Sequence, residues 1–378
     1  MNKVLRHLSL TVMCIMAFGF AISCASTGGN ASPSGARGLP PLANGPLPPA
    51  VGLPPGAGGP PPPFAASQPL ATPAFADLAY VPNPAPTQKL DLYLPEQAKP
   101  ASGYPVVVYI HGGGFALGDK APYGDDANAV LSGLKRGYAI ASINYRLSGT
   151  DKAPAQIYDV KAALRYVKAN AGKYGLDPDK MVLLGVSAGG SLAALAATSA
   201  NDPGFSAGLA SMGAAKAGDD VAAAIILYGL YDFNTLQAQF DWLSNPSDHS
   251  FDSKYLPTYA RQRSFFFGKN FANRFDNPRA FEQQYLGAPF GEKRDMIKFI
   301  NAENYISAKC PPFFIRHGEM DENVPFLQSV DLAAELRAAG AKVDFATVPG
   351  AQHGLPGMNF FKKFDIAVAY DWLSTVLK

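Results

Sequence analysis

From about residue 75 the chain alternates short apolar runs with longer stretches whose apolar positions recur every three to four residues. The runs LDLYLP (90–95), PVVVYI (105–110), YAIASINY (138–145), MVLLGV (181–186), AAAIILYG (222–229), PPFFIRH (311–317) and VDFATV (343–348) predict strands. Several are apolar at consecutive positions and rich in β-branched residues, as strands covered on both faces must be. Over 154–174, Ile157, Val160, Leu164, Val167 and Ala171 make one apolar stripe, which predicts a helix stopped by Gly175. SLAALAATSA (191–200), VPFLQSVDLAAELRAAG (324–340) and the last eighteen residues predict further helices. Strands alternating with helices predict an α/β domain over 75–378, with a mostly parallel central sheet and helices on both faces.

Residues 231–290 break this rhythm. They hold no clear strand, yet they contain Phe240, Trp242, Tyr255, Tyr259 and the triplet Phe265-Phe266-Phe267. In a doubly wound sheet an insertion of this kind commonly lies over the carboxyl ends of the strands. A lid or aromatic pocket is the expected form, with extra core or an interface as the alternative.

The chain has 378 residues, and 48% are hydrophobic, enough for one large core or two modest ones. Its start reads as an export signal. Lys3 and Arg6 precede an apolar stretch from Leu8 to Ile22, which is short for a membrane span. The stretch ends in Ala21-Ile22-Ser23-Cys24, which resembles a bacterial lipobox without its usual leucine. Residues 1–23 are therefore expected to be a signal peptide and Cys24 a lipidated N-terminus. An ordinary secretory signal cut near Ala25 is the alternative. Residues 24–74 are dominated by Pro, Gly, Ala and Ser without periodicity, and read as an extended tether between membrane anchor and folded domain. The expected location is outside the cytoplasm, at the periplasmic or cell-surface side of a membrane.

Removal of the signal leaves 30 residues of each charge sign, since Lys3 and Arg6 are the only such charges before Cys24. No basic stripe remains to suggest a nucleic-acid partner. Cys14 lies in the signal and Cys24 would carry lipid, which leaves Cys310 alone and no intramolecular disulfide. Cys310 is expected to be a small buried filler.

Two motifs carry chemistry. Gly185-Val186-Ser187-Ala188-Gly189 fits G-x-S-x-G between a predicted strand and a predicted helix. A serine on so sharp a turn needs small neighbours two residues before and after, and it stands at a helix N-terminus that favours developing negative charge. The second motif, His111-Gly112-Gly113-Gly114, follows the strand PVVVYI. Glycines can turn main-chain N–H groups toward one point, so Gly112, Gly113 and Ala188 are the candidate oxyanion donors, with Gly114 shaping the turn. His111 is expected to hold that loop by hydrogen bonds.

A nucleophilic serine needs a base, and the base an orienting carboxylate, in the chain order Ser, Asp/Glu, His. Of five histidines, His7 lies in the signal, His249 in the aromatic insertion, and His317 precedes the candidate acids. His353, in PGAQHGLPG after the last strand, is the candidate base. Asp321 is the chosen acid in HGEMDENVP, with Glu319 and Glu322 as alternatives.

With these residues the chain resembles the α/β-hydrolase superfamily. It is similar to exported bacterial carboxylesterases with an HGGG loop, related to the hormone-sensitive-lipase branch, and in particular to acetyl-xylan and feruloyl esterase-like members. The resemblance spans about 88–378 and includes LDLYLP, HGGGF, NYRL (144–147), YGLDPDK, GVSAGGSLAAL, YLGAP (285–289), RHGEMDENVP and GAQHG. It implies a serine ester hydrolase in which Ser187, Asp321 and His353 are catalytic and Gly112 and Gly113 form the hole, with no cofactor or metal. The substrate would be a short-chain acyl, carbohydrate or phenolic ester. A peptidase of the prolyl-oligopeptidase type and a non-catalytic adhesion module are the alternatives. The bulky insertion 231–290 departs from a minimal member.

Overall fold

The structure is a computed structural model and describes residues 71–122, 124–269, 278–354 and 358–377. The expected signal peptide, Cys24 and the tether through residue 70 lie outside the described residues.

Eight strands form one sheet: β1 (Phe75–Ala79), β2 (Lys89–Tyr93), β3 (Tyr104–Ile110), β4 (Ala139–Ile143), β5 (Leu176–Val186), β6 (Ala223–Leu227), β7 (Phe313–Gly318) and β8 (Val343–Val348). Their spatial order is β1-β2-β4-β3-β5-β6-β7-β8. β2 runs antiparallel to both β1 and β4, and every pairing from β4 to β8 is parallel. All strands from β3 to β8 therefore end on the same side, where the loops carrying both motifs emerge.

The apolar runs are explained by burial on both faces. Val106, Val108 and Ile110 of β3 point into one core, while Val107 and Tyr109 between them point into the other. The first core is closed by α2 (Ala155–Ala169) and α3 (Ala188–Thr198), through Ile157, Val160, Leu164, Leu192 and Leu195. The second is closed by α1 (Gly124–Leu131) and α8 (Ala367–Val376), through Val130, Ala369, Tyr370 and Leu373. Burying each large aliphatic side chain contributes about 1.5–3 kcal/mol, so these two layers hold the sheet between its helices.

Several boundaries differ from expectation. β1 has no counterpart among the predicted strands. Four of its five residues are exposed, and it is held by pairing with β2 and by Lys120, which bridges Asp77 and Asp91 at 3.2 and 2.9 Å. The helix of 154–174 breaks at Asn170, resumes over Ala171–Tyr174 and ends at Gly175, whose φ is 69°. The final helix divides into Phe360–Lys363 and α8. Cys310 is a free thiol, only partly buried against the first core.

The insertion is helical, with α4 (Leu236–Ser244), α5 (Asp252–Phe266) and α6 (Pro278–Leu286). Most of its named aromatics are taken up by core. Phe240, Trp242, Tyr255 and Phe266 make a third core with Phe326 and Leu327 at the start of α7 (Leu327–Ala338). Buried Arg263 knits this unit together. Its guanidinium lies 4.3 Å over the Trp242 ring, pairs with Asp252 at 2.9 Å and donates to the carbonyl of Trp242. Stacking and charge-assisted bonds together offset the desolvation of a buried cation.

Candidate active site

β5 runs into α3 with a single residue, Ser187, at the corner. Its φ of 53° and ψ of −123° are strained for a residue with a side chain. The strain persists because the corner leaves no alternative. A Cβ on Gly189 would lie 2.0 Å from the Ile110 carbonyl oxygen, and one on Gly185 would lie 2.2 Å from the Gly189 carbonyl oxygen. Only glycine at both places lets the turn close and lift Ser187 above the sheet.

His353 stands in the loop after β8. Its Nε2 lies 2.8 Å from Ser187 Oγ and its Nδ1 2.6 Å from Asp321 Oδ2. The Tyr228 ring meets the imidazole edge-to-face at 4.8 Å. Asp321, in the loop after β7, is fully buried. Its Oδ1 accepts from the main-chain N–H groups of Asn323 and Val324, at 2.8 and 2.9 Å. Burial alone would raise this carboxyl, but the imidazoles of His353 and His317 hold it well below the usual carboxylate range. It is therefore ionised at neutral pH and faces the Nδ1 of His353 as an acceptor.

The alternative acids point elsewhere. Glu319 accepts from Thr347 at 2.8 Å and Gln262 at 3.2 Å, and Glu322 pairs with Lys269 at 2.7 Å. His249 is exposed and pairs with Asp252.

The glycine loop crosses directly before Ser187. A Cβ on Gly112 would sit 3.1 Å from Ser187 Cβ, and Gly113 has φ of 107°. Two side chains set the direction of its peptide planes. The Tyr145 hydroxyl donates to the His111 carbonyl at 3.1 Å, and His111 Nδ1 donates to the Gly112 carbonyl at 2.7 Å. In a trans peptide the N–H points away from its C=O. Holding these two carbonyls on one side therefore turns the N–H groups of Gly112 and Gly113 to the other. The His111 ring is stacked on Tyr145 at 4.4 Å, and burial lowers its pKa, so it stays neutral in this role. Phe115, which follows the glycines, stacks on Tyr285 of α6 at 4.0 Å. The insertion thus braces the loop from behind. Ala188 opens α3, and its N–H is one of the unpaired donors of a helix start.

A cavity of about 240 Å³ opens beside Ser187 and His353. Its wall is almost wholly apolar and includes Phe115, Leu117, Leu230, Leu236 and Val324. Such an arrangement can activate a hydroxyl, shelter negative charge on an oxygen, and hold a small apolar group. Among the described residues no cluster of three or more His, Cys, Asp or Glu is placed to hold a metal ion.

Two residues near the site were not assigned to it from sequence. His317, set aside on chain order, is fully buried with Nε2 3.2 Å from Asp321 Oδ2. Asp126 on α1 lies near His353, with the Tyr109 hydroxyl 3.4 Å from its Oδ2. Burial pushes its carboxyl up to about 7, against the opposing pull of Tyr109 and His353.

Known proteins give the site a family. Esterase LipQ of Mycobacterium tuberculosis is 33% identical over 267 residues, which cover 70% of this chain and 53% of that protein. The probable carboxylic ester hydrolase LipM of the same organism is 33% identical over 270 residues, covering 71% and 53%. The chain thus spans about half the length of these curated relatives. Among solved structures, a truncated carbohydrate esterase from gut microbiota superposes with a TM-score of 0.62 at 27% identity, covering 81% of this chain and 96% of that one. The tannin acyl hydrolase from Lactobacillus plantarum shares the fold, with a TM-score of 0.65 at 19% identity, covering 80% and 93%. The BD-FAE sequence profile matches residues 90–336, well over half of the chain. On that match, and on the sheet and elbow described above, the chain belongs to the BD-FAE family and has the α/β-hydrolase fold.

Proposed function

We propose that the protein is a serine carboxylic-ester hydrolase acting through an acyl-enzyme. The observation that carries this reading is the line Ser187–His353–Asp321, closed at 2.8 and 2.6 Å beside an apolar cavity. The names of the relatives, esterase and carboxylic ester hydrolase, support it. No observation favours the peptidase or adhesion alternatives.

Ser187 Oγ attacks the ester carbonyl carbon and gives its proton to His353 Nε2. The carbonyl π electrons move onto oxygen, where the N–H groups of Gly112, Gly113 and Ala188 shelter the charge. Collapse breaks the ester C–O bond, and the departing alkoxide takes the proton from His353. Water then attacks the acyl-enzyme, gives a proton to His353, and collapse returns that proton to Ser187 as the acid leaves. Asp321 stabilises the imidazolium throughout without taking its proton.

The cavity fits a short acyl chain or an aryl acid on a carbohydrate or phenolic alcohol. Each buried methylene is worth about 0.8 kcal/mol, or about fourfold in kcat/KM. A series of p-nitrophenyl esters of increasing length, with feruloyl and acetylated-sugar esters alongside, should show kcat/KM climbing and then falling once the cavity is full. Wild-type protein turning over none of these faster than Ser187→Ala removes the reading.

Export and anchoring by lipid on Cys24 belong to the same proposal. They are supported by the charged start, the apolar stretch, Ala21-Ile22-Ser23-Cys24 and the Pro/Gly-rich segment after it. Cys24→Ser should move the protein from the membrane to the soluble fraction. Unchanged fractionation argues against the anchor.

A further inference from the structure

His317 is the penultimate residue of β7, four residues before Asp321, and is completely buried. Its two nitrogens have different surroundings. Nε2 faces only acceptors, the Val324 carbonyl at 3.1 Å and Asp321 Oδ2 at 3.2 Å. Nδ1 faces the Ser329 hydroxyl at 2.7 Å, on α7. Two acceptors at Nε2 require the proton to sit there, so in the neutral ring Nδ1 accepts from Ser329.

Asp321 Oδ2 thus faces two imidazole nitrogens, Nδ1 of His353 at 2.6 Å and Nε2 of His317 at 3.2 Å, the second sharing its proton with the Val324 carbonyl. Oδ1 receives two main-chain N–H groups. With both oxygens engaged, the carboxylate can neither rotate about its Cβ–Cγ bond nor take the proton of His353 without breaking a bond already made.

We infer that His317 is a positioning residue of the reaction, a second imidazole that with Ser329 fixes the acid's Oδ2 against the Nδ1 of His353. It touches no substrate and acts only through Asp321. The inference rests on the ester-hydrolase reading for its kinetic arm alone. A structural alternative exists, in which His317 merely pins α7 to β7 through Ser329 and the Val324 carbonyl.

Two substitutions separate these roles. In His317→Asn the amide reaches the place of Nδ1, which keeps the bond to Ser329 and loses the donor to Asp321 and to the Val324 carbonyl. In His317→Gln the amide nitrogen reaches the place of Nε2 and keeps that donor. Positioning through Asp321 predicts that His317→Asn loses about 10–100-fold in kcat, as is typical when the partner orienting an active-site ligand is removed, while His317→Gln stays close to wild type. KM should move less than about twofold in both, because ground-state binding is untouched. Ser329→Ala, a small change inside a helix, should lower kcat in the same direction by less, and keeps the question answerable if His317→Asn fails to fold.

The proton between His353 and Asp321 supplies a readout that needs no ester. A charge-assisted bond of this length gives a far-downfield proton resonance, assigned by its loss in Asp321→Asn. It should shift in His317→Asn and stay in place in His317→Gln. Equal kcat losses in the two His317 variants, or a resonance unmoved in His317→Asn, overturns the inference. A shifted resonance in a protein that hydrolyses no ester upholds the positioning and overturns only the reaction assigned above.

Discussion

Asp321→Asn removes one charge and almost no volume, so its effect follows from where the amide must point. The carboxylate accepts two main-chain N–H groups at Oδ1 and two imidazole groups at Oδ2. Asn323 and Val324 can only donate, so the amide oxygen must face them. The reverse orientation sets an NH₂ against two donors, at about 1–3 kcal/mol for each one left unpaired. The NH₂ therefore takes the place of Oδ2 and donates to Nδ1 of His353. His317 keeps its proton on Nε2 for the Val324 carbonyl, so the new amide nitrogen finds its acceptor in His353. His353 must then carry its proton on Nε2, aimed at Ser187 Oγ, and can no longer accept the serine proton. The imidazolium also loses its counter-charge. A base held in the wrong tautomer is expected to lose about 10⁴-fold in kcat, or about 5.5 kcal/mol of transition-state stabilisation. Steady-state hydrolysis of p-nitrophenyl acetate measures this, with urea unfolding of both proteins to show that the fold is kept. A variant within tenfold of wild type refutes the tautomer argument, and with it the assignment of the acid.

Two further outcomes follow from the geometry. A Cβ on Gly113 would lie 2.3 Å from the main-chain oxygen of Leu117, at a φ of 107° that disfavours alanine. Gly113→Ala should displace one N–H donor and lower kcat on p-nitrophenyl acetate by about 10²–10³-fold, and an unchanged kcat would exclude Gly113 from the hole. Glu303 sits beside the insertion, where burial and then the neighbouring carboxylates Glu335, Asp232 and Asp331 push its carboxyl up to about 8. The folded protein therefore holds this proton more tightly than the unfolded chain. The associated stability is complete below the ordinary value of 4.5 and is lost as pH rises through about 8. Urea midpoints at pH 5 and pH 8.5 should fall less between the two for Glu303→Gln than for wild type. Parallel declines would show that Glu303 is not the group responsible.

The strands could be read from sequence because the sheet is covered on both faces. A strand such as Val106–Ile110, buried in two cores at once, can only be a continuous apolar run. β1 could not, because FADLA is mostly exposed and owes its place to main-chain pairing and to Lys120, neither of which leaves a pattern. The insertion shows a different limit. Composition announces that Phe240, Trp242, Tyr255 and Phe266 are buried, but a third core and an aromatic pocket have the same composition. Among the described residues of the insertion, Leu236 of α4 reaches the cavity wall, beside Leu230 just before the insertion.

At the site, chain order brought out Ser187 and His353 because the fold allows one place for each, the corner after β5 and the loop after β8. Order says nothing about contacts, so it does not single out His317. It precedes the acid in sequence yet touches it in space. The choice among Glu319, Asp321 and Glu322 had a local signal as well as a central position. Asp321 Oδ1 accepts from the N–H groups two and three residues ahead, an Asx-type turn that needs a side chain one methylene shorter than glutamate. The same short reach that closes the turn leaves Oδ2 projecting toward His353. Read with that geometry in mind, D-E-N-V names its acid, because only the aspartate can fold the loop and face the histidine at once.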